Sequence, residues 1–301
     1  MITAQENGYP ENFNEEKLFG MFDTQEELDA QHNLQKAVPN FLEYAQYYKK
    51  ASIEVRSLHS NRQTFEYGQT LRERLTVYPA KEANAPVMLF IHGGYWRMGS
   101  GDDFDFIATG PLDADFTVVI ITYALAPGVA IPEIVREVRA SIAWTAKNIS
   151  ALNGNPDQIY VAGHSAGAHL AAMATVTRWA DYGLAPDTIK GILAISGLYD
   201  LQPVSHTFIQ PSVRITAEHI LTCSPLRLIK PSKIPVTVSW GALETTAFRK
   251  QSSDYLNAWK AAGNTGTSNI IAGADHFSIL KEFQSTEGQL TLALKKLLAD
   301  S

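Results

Sequence analysis

The chain has 301 residues, of which 45% are hydrophobic, and its formal net charge at pH 7 is -6. A chain of this length and composition can bury a large core, and single α/β domains often reach this size. Its lysines and arginines are spread along the sequence and form no basic patch, so we expect no nucleic-acid partner. The single cysteine, Cys223, excludes an internal disulfide framework.

The first residues and the apolar runs of the chain indicate the cellular location of the protein. The first seven residues lack the basic and apolar regions of a signal peptide. No apolar run reaches the roughly 18 residues that are needed to span a bilayer. We therefore expect a soluble, cytoplasmic protein without a membrane partner, in which residues 1–301 form one domain. The sequence allows either a monomer or a homodimer.

The predicted elements begin with helices and a hairpin. Residues 1–60 form an N-terminal helical segment, because the pattern from 15 to 58 is helical and is interrupted at Pro39. Residues 63–67 and 71–78 then alternate in polarity, which predicts two strands of a β-hairpin.

Short runs rich in valine and isoleucine follow, with helical patterns between them. Such runs are typical of strands that are buried on both faces of a sheet. The predicted strands are 87–91, 117–122, 159–162, 189–195 and 236–240, and the predicted helices are 134–149, 166–180 and 248–262. This alternation predicts an α/β fold with a mostly parallel central sheet, helices on both faces and ligands beyond the carboxyl ends of the strands. Residues 202–232, which are richer in proline and serine, are expected to be a small excursion that caps the site.

The pentapeptide Gly-His-Ser-Ala-Gly at 163–167 lies between a predicted strand and a predicted helix. A serine at a sharp strand-to-helix turn is strained, and glycine two residues on either side lets the backbones approach. This context predicts a nucleophile elbow with Ser165 as the nucleophile. Because Ala166 begins the helix, its N–H is unpaired and can donate to a developing oxyanion.

A serine hydroxyl needs a histidine base, and that histidine needs a carboxylate to orient it. In α/β-hydrolases the chain order is serine, acid, histidine. His276 follows a plausible last strand at 270–273 and is the predicted base. Glu244 comes just after the strand at 236–240 and is the predicted acid, and Asp200, which follows the preceding strand, is the alternative.

The strand at 87–91 ends in the turn His-Gly-Gly-Tyr-Trp at 92–96. Its glycines allow the backbone N–H groups to turn toward a substrate. We therefore expect Gly94 and Tyr95 to supply the other oxyanion-hole donors, with Gly93 as the alternative.

Aromatic residues next to the predicted site, together with one glycine of the turn, are candidates for a substrate pocket. The predicted pocket residues are Gly93, Trp96, Tyr199 and Phe277. His164 and His169 do not form a zinc pattern, and no glycine pattern for nucleotide phosphates is present, so we expect no metal and no cofactor.

With these residues in view, the chain resembles the kynurenine formamidase-like (arylformamidase) group of the α/β-hydrolase superfamily. The shared features are the turn at 92–96, the elbow at 163–170, Ser-Gly-Leu-Tyr-Asp-Leu at 196–201 and Phe-Arg-Lys-Gln-Ser at 248–252. The segment Tyr-Ala-Leu-Ala-Pro at 123–127 is similar to a turn of hormone-sensitive-lipase-type esterases.

The resemblance implies hydrolysis of N-formyl-L-kynurenine without a metal, through Ser165, Glu244 and His276. This chain differs from the family at the acid: it has Glu244 at the position where the pattern of the eukaryotic formamidases has an aspartate. The expected function is a serine hydrolase that cleaves an N-formyl or N-acyl amide of an aromatic small molecule through an acyl-enzyme. The alternatives are a carboxylesterase for short-chain acyl or aryl esters and, from another class, a non-catalytic binding protein on the same fold.

Overall fold

The structure, a computed structural model, describes residues 21–300. Its strands are β1 (Gln63–Glu66), β2 (Arg74–Tyr78), β3 (Ala85–Ile91), β4 (Thr117–Thr122), β5 (Gly154–His164), β6 (Ile189–Ile195), β7 (Val236–Gly241) and β8 (Gly266–Ile271). They form one eight-stranded sheet in the order β1-β2-β4-β3-β5-β6-β7-β8. β2 pairs antiparallel with β1 and with β4, and the other neighbours pair parallel. The prediction of a mostly parallel α/β sheet is therefore confirmed.

The helices agree with most of the predicted helical patterns. They are α1 (Gln25–His32), α2 (Leu34–Ala37), α3 (Phe41–Leu58), α4 (Thr109–Asp113), α5 (Ile131–Asn148), α6 (Ala166–Thr175), α7 (Leu201–Val204), α8 (Gln210–Val213), α9 (Ala217–Cys223), α10 (Thr246–Ala261) and α11 (Gln289–Ala299). The part of the predicted N-terminal segment before Met21 lies outside the described residues. α6 is shorter than the predicted helix at 166–180, and α11 lies beyond the predicted elements.

The sheet separates two layers of core, because successive side chains of a strand point to opposite faces. Val87, Leu89 and Ile91 of β3 pack on one face, together with residues of α5, α6 and α10. Met88 and Phe90 of the same strand pack on the other face, with residues of α3 and α11. Strands buried on both faces lose the usual polar alternation, and this explains the continuous apolar runs in the sequence.

The N-terminal helices lie against loops at the carboxyl edge of the sheet. The main-chain oxygen of Gln31 in α1 accepts a hydrogen bond of 2.9 Å from the Thr245 hydroxyl. The Asp29 carboxylate, also in α1, accepts one of 2.7 Å from the N–H of Phe208. α1 therefore joins the loop after β7 to the predicted excursion at 202–232, which contains most of α7 together with α8 and α9. None of the helices in residues 21–300 combines the length and apolar character that crossing a bilayer requires.

We predict that Gly167→Ala destabilises the protein, although alanine is the better helix former by about 0.5–1 kcal/mol. Gly167 lies in α6, and a Cβ there would be 2.0 Å from the main-chain oxygen of Ile91 in β3. The helix would have to move away from the strand, at a cost of roughly 1–3 kcal/mol. Urea unfolding followed by circular dichroism measures the difference.

Gly183→Ala is a comparison variant with a different cause of destabilisation. Its Cβ would meet only the Lys147 ammonium, at 3.9 Å, so the variant tests the cost of a positive φ without a steric clash. That cost is about 1–2 kcal/mol. A Gly167→Ala protein as stable as the wild type would contradict the packing account.

Candidate active site

Ser165 occupies the turn between β5 and α6, with φ at 57° and ψ at -119°. This left-handed conformation is strained for a residue with a side chain, and such strain concentrates at functional sites. Gly163 and Gly167 make the turn possible, since a Cβ on Gly163 would lie 2.2 Å from the main-chain oxygen of Gly167. The N–H of Ser165 donates to the Ile195 oxygen of β6 at 2.8 Å, which fixes the turn to the sheet. Ser165 lines a cleft at the carboxyl edge.

Glu244 and His276 follow β7 and β8 and meet at this edge. His276 Nδ1–H donates to Glu244 Oε2 at 2.9 Å, and the two side chains are 3% and 0% exposed. A carboxylate only accepts hydrogen bonds, so the proton of a neutral His276 is on Nδ1 and the lone pair is on Nε2. His276 lines the same cleft as Ser165. The arrangement can therefore present a base to the serine hydroxyl.

The second oxygen of Glu244 is also held. Ser196 Oγ–H donates to Glu244 Oε1 at 2.6 Å, and the N–H of Gly241 donates to the same oxygen at 2.7 Å. Ser196 directly follows β6 and has a φ of 54°. Sequence reasoning gave Ser196 no role, and the only available signal was its place at a strand end. The carboxylate orientation thus depends on three adjacent strands.

Asp200, the alternative acid, is engaged elsewhere. Its Oδ1 accepts the N–H of Gln202 at 3.0 Å and so caps α7. Its two carboxylate oxygens each accept a 3.0 Å hydrogen bond from Arg227, through Nε and Nη2. Glu244, and not Asp200, is the carboxylate that contacts His276.

The predicted oxyanion donors lie on two segments that approach each other at Ser165. A Cβ on Gly93 would be 3.0 Å from the Ser165 Cβ, so the turn at 92–96 and the elbow are in close contact. Gly94 and Tyr95 have φ values of 117° and 51°. Within residues 21–300, the N–H groups of Gly94, Tyr95 and Ala166 donate to no main-chain acceptor. Unpaired N–H groups of this kind can stabilise a developing oxyanion.

Two of the four predicted pocket residues do not line the cleft, and that prediction was wrong. Trp96 and Tyr199 are both 0% exposed. Trp96 Nε1–H donates to His169 Nδ1 at 3.1 Å, and Tyr199 stacks on a second buried tyrosine with ring centres 4.3 Å apart. Both rings pack into the core beneath the site, because neighbouring residues of a tight turn point in different directions. The other two residues, Gly93 and Phe277, do line the cleft.

The cleft has a volume of about 330 Å³, within the range of sites for small molecules. Its apolar lining includes Leu34, Phe41 and Tyr48 from the N-terminal helices, Phe208 and Ile209 from the excursion, and Phe277. Two residues of the excursion thus contribute to the lining of the cleft. The sequence did not predict that the N-terminal helices line the cleft, because a helical pattern does not show whether an apolar face contacts the core or a ligand.

Three buried histidines surround the site and serve structural roles. Burial lowers the pKa of His92 and of His169 to about 4, so both rings are neutral at pH 7. His92 Nδ1–H donates to the main-chain oxygen of Gly93 at 2.7 Å, and His169 Nε2–H donates to that of Cys223 at 2.6 Å. His164 Nε2–H donates to the main-chain oxygen of His276 at 2.8 Å, which holds the loop of the base. No cluster of potential metal ligands occurs in the described part of the chain.

A parallel sheet with a serine elbow and a histidine–carboxylate pair at its carboxyl edge defines an α/β-hydrolase, and the chain is a serine hydrolase of this class. The BD-FAE family model matches residues 75–259, and the chain belongs to this family. It is 33% identical over 260 residues to kynurenine formamidase of Danio rerio, with 84% of this chain and 87% of that protein covered. The kynurenine formamidase of Salmo salar is 31% identical over 261 residues, with the same coverage.

A solved structure supports the fold. The thermophilic carboxylesterase EstE1, cloned from a metagenomic library, superposes with a TM-score of 0.67 at 22% identity and covers 85% of this chain and 97% of its own. The resemblance to kynurenine formamidases that the sequence motifs indicated is confirmed by the relatives from the two fishes.

We predict that acid weakens the fold through His169. An unfolded histidine titrates near 6.5, whereas burial holds the folded pKa of His169 at about 4. Its contribution to stability is therefore fully present above pH 6.5 and is lost as the pH falls from 6.5 toward 4. At pH 5 the loss in the free energy of unfolding is roughly 2 kcal/mol. Urea unfolding at pH 7 and pH 5 should show a smaller loss on acidification for His169→Gln than for the wild type. Equal losses would contradict this role.

Proposed function

We propose that the protein hydrolyses an N-formyl or N-acyl amide of an aromatic small molecule through an acyl-enzyme on Ser165. The hydrogen bond from His276 to Glu244 carries this proposal, because His276 lines the same cleft as Ser165. Similarity to kynurenine formamidases supports an aryl formamide as the substrate. The apolar and aromatic lining of the cleft supports an aromatic ring in it.

In the first half of the reaction, His276 Nε2 takes the proton of Ser165 as Oγ attacks the formyl carbonyl. Glu244 stabilises the imidazolium that forms and keeps the ring in place. The negative charge on the carbonyl oxygen is held by the N–H groups of Gly94, Tyr95 and Ala166. The imidazolium then gives its Nε2 proton to the arylamine nitrogen, the C–N bond breaks, and the amine leaves.

In the second half, a water molecule replaces the amine. His276 Nε2 takes a proton from this water, which attacks the formyl ester on Ser165. The second oxyanion that forms is held by the same three N–H groups. The proton then passes to Ser165 Oγ as the ester bond breaks, which releases formate and restores the serine. The same sequence with an alcohol as the leaving group is ester hydrolysis, so a carboxylesterase is the alternative function.

We predict that the wild-type protein hydrolyses N-formyl-L-kynurenine with a kcat/KM of about 10⁴ M⁻¹s⁻¹ or more, within the ordinary enzyme range. This value should exceed the value for p-nitrophenyl acetate. Ser165→Ala should lower both values by several orders of magnitude, since a nucleophile and its base act as a unit. Steady-state assays of the released arylamine and nitrophenol measure the two activities side by side.

Ser57→Ala is the control, because Ser57 is exposed and its hydroxyl donates only to a main-chain oxygen of its own helix. Ester cleavage without formamide cleavage, abolished in Ser165→Ala, would overturn the formamidase proposal and favour the esterase. Loss of neither activity in Ser165→Ala would overturn the assignment of the nucleophile. An inert wild type would favour the binding protein.

A further inference from the structure

Arg97 is a charged residue of the cleft that the reaction steps above do not use. It directly follows the turn at 92–96, it is partly buried, and its side chain lines the cleft with Ser165. Its Nη1–H donates to the Ser212 hydroxyl of α8 at 3.2 Å, which is a neutral partner. Its Nε–H is buried and has no hydrogen-bond partner within residues 21–300.

The other arginines show which acceptors a guanidinium contacts in this chain. Some pair with a carboxylate, as Arg56, Arg136 and Arg227 do. Others that are partly buried donate to neutral oxygens, as Arg62, Arg72 and Arg139 do. Arg227 uses one edge of its guanidinium, formed by Nε and Nη2, to bind both oxygens of Asp200 at 3.0 Å. In residues 21–300 no ion pair involves Arg97, and its own Nε and Nη2 have no protein acceptor. The Nε–Nη2 edge of Arg97 therefore forms no hydrogen bond with the described protein, although neighbouring atoms cover its Nε.

An arginine keeps its charge at all relevant pH values, and covering that charge without a partner is unfavourable. An anion that enters the cleft would supply the missing acceptors. The planar fork of two N–H groups matches the two oxygens of a carboxylate, and such bidentate bonds are strong and directional.

The remaining polar groups of the cleft leave room for an anion. Among the described residues, the charged side chains that line it are Lys49, Arg97 and Asp103. Asp103 is the one carboxylate, and it accepts the N–H of Ser100 in its own turn at 3.1 Å. Burial lowers the pKa of His32, which also lines the cleft, so this ring stays neutral at pH 7. The lining therefore carries a net positive charge.

We propose that Arg97 is a specificity-determining residue that binds a carboxylate of the substrate, so the protein prefers aromatic amides that carry a carboxylate group. This inference rests on the proposed function, since it names a further feature of the same substrate. The aromatic ring contacts the apolar lining near Phe41 and Phe277, the acyl group is at Ser165, and the carboxylate pairs with Arg97.

The test compares two formamides that differ only in the carboxylate, N-formyl-L-kynurenine and N-formylkynurenamine. Arg97→Gln should raise the KM for the acid by about 10- to 100-fold, the effect of losing hydrogen bonds to a charged group. The KM for N-formylkynurenamine should change less than about two-fold, since it has no carboxylate for Arg97 to bind. Arg97→Lys keeps the charge without the fork and should be intermediate. Arg178→Gln, an exposed arginine outside the cleft, is the control for the change in net charge.

A binding assay separates this inference from the proposed function. 3-Benzoylpropionate and butyrophenone are aryl ketones with and without a carboxylate, and their affinities for the Ser165→Ala protein can be measured by calorimetry even if no formamide is cleaved. The acid should bind more tightly than the neutral ketone. Added salt should lower the affinity for the acid only, and so should the Ser165→Ala, Arg97→Gln double variant. Equal binding of the two ketones, or equal effects of Arg97→Gln on both formamides, would overturn the role of Arg97 while leaving the formamidase proposal standing.

Discussion

The hydrogen bond from His276 to Glu244 is the contact on which the rest of the site depends. In a neutral ring it places the one N–H proton on Nδ1, so Nε2 is left to accept a proton in the cleft. Both side chains are buried, which removes competing water, and Ser196 fixes the second carboxylate oxygen. Since β5, β6, β7 and β8 are neighbours with the same direction, Ser165 and these three residues meet at one edge although up to 111 positions separate them in the chain.

Chemistry and selectivity come from different parts of the chain. The sheet supplies the serine, the acid and the histidine, whereas the N-terminal helices and the excursion supply most of the apolar lining. The Gln31 side chain of α1 accepts the N–H of Ala247 in α10, and the Tyr48 hydroxyl of α3 donates to the main-chain oxygen of Phe277. A change of substrate can therefore arise in these helices without altering the parallel sheet, because fold alone does not determine what is bound.

The sequence predicted the features that depend on residues close together in the chain. Ser165 lies in a local glycine pattern, and Glu244 and His276 each follow an apolar run that became a strand. Side-chain direction was not predictable, because residues close together in a turn can face the core or the cleft. Trp96 faces the core, and Arg97, its immediate neighbour, faces the cleft. The role of Ser196 required the register of β6 beside β7, which only the folded sheet sets.

The most direct test of the central claim is the labelling of the protein by an aryl fluorophosphonate, followed by mass spectrometry of its peptides. A single adduct on Ser165 is expected. Glu244→Gln should slow labelling by about a thousand-fold or more, since an amide in place of the acid favours the wrong histidine tautomer. Unchanged thermal unfolding would show that this variant is folded. Labelling at another residue, or an equal rate in Glu244→Gln, would contradict the account.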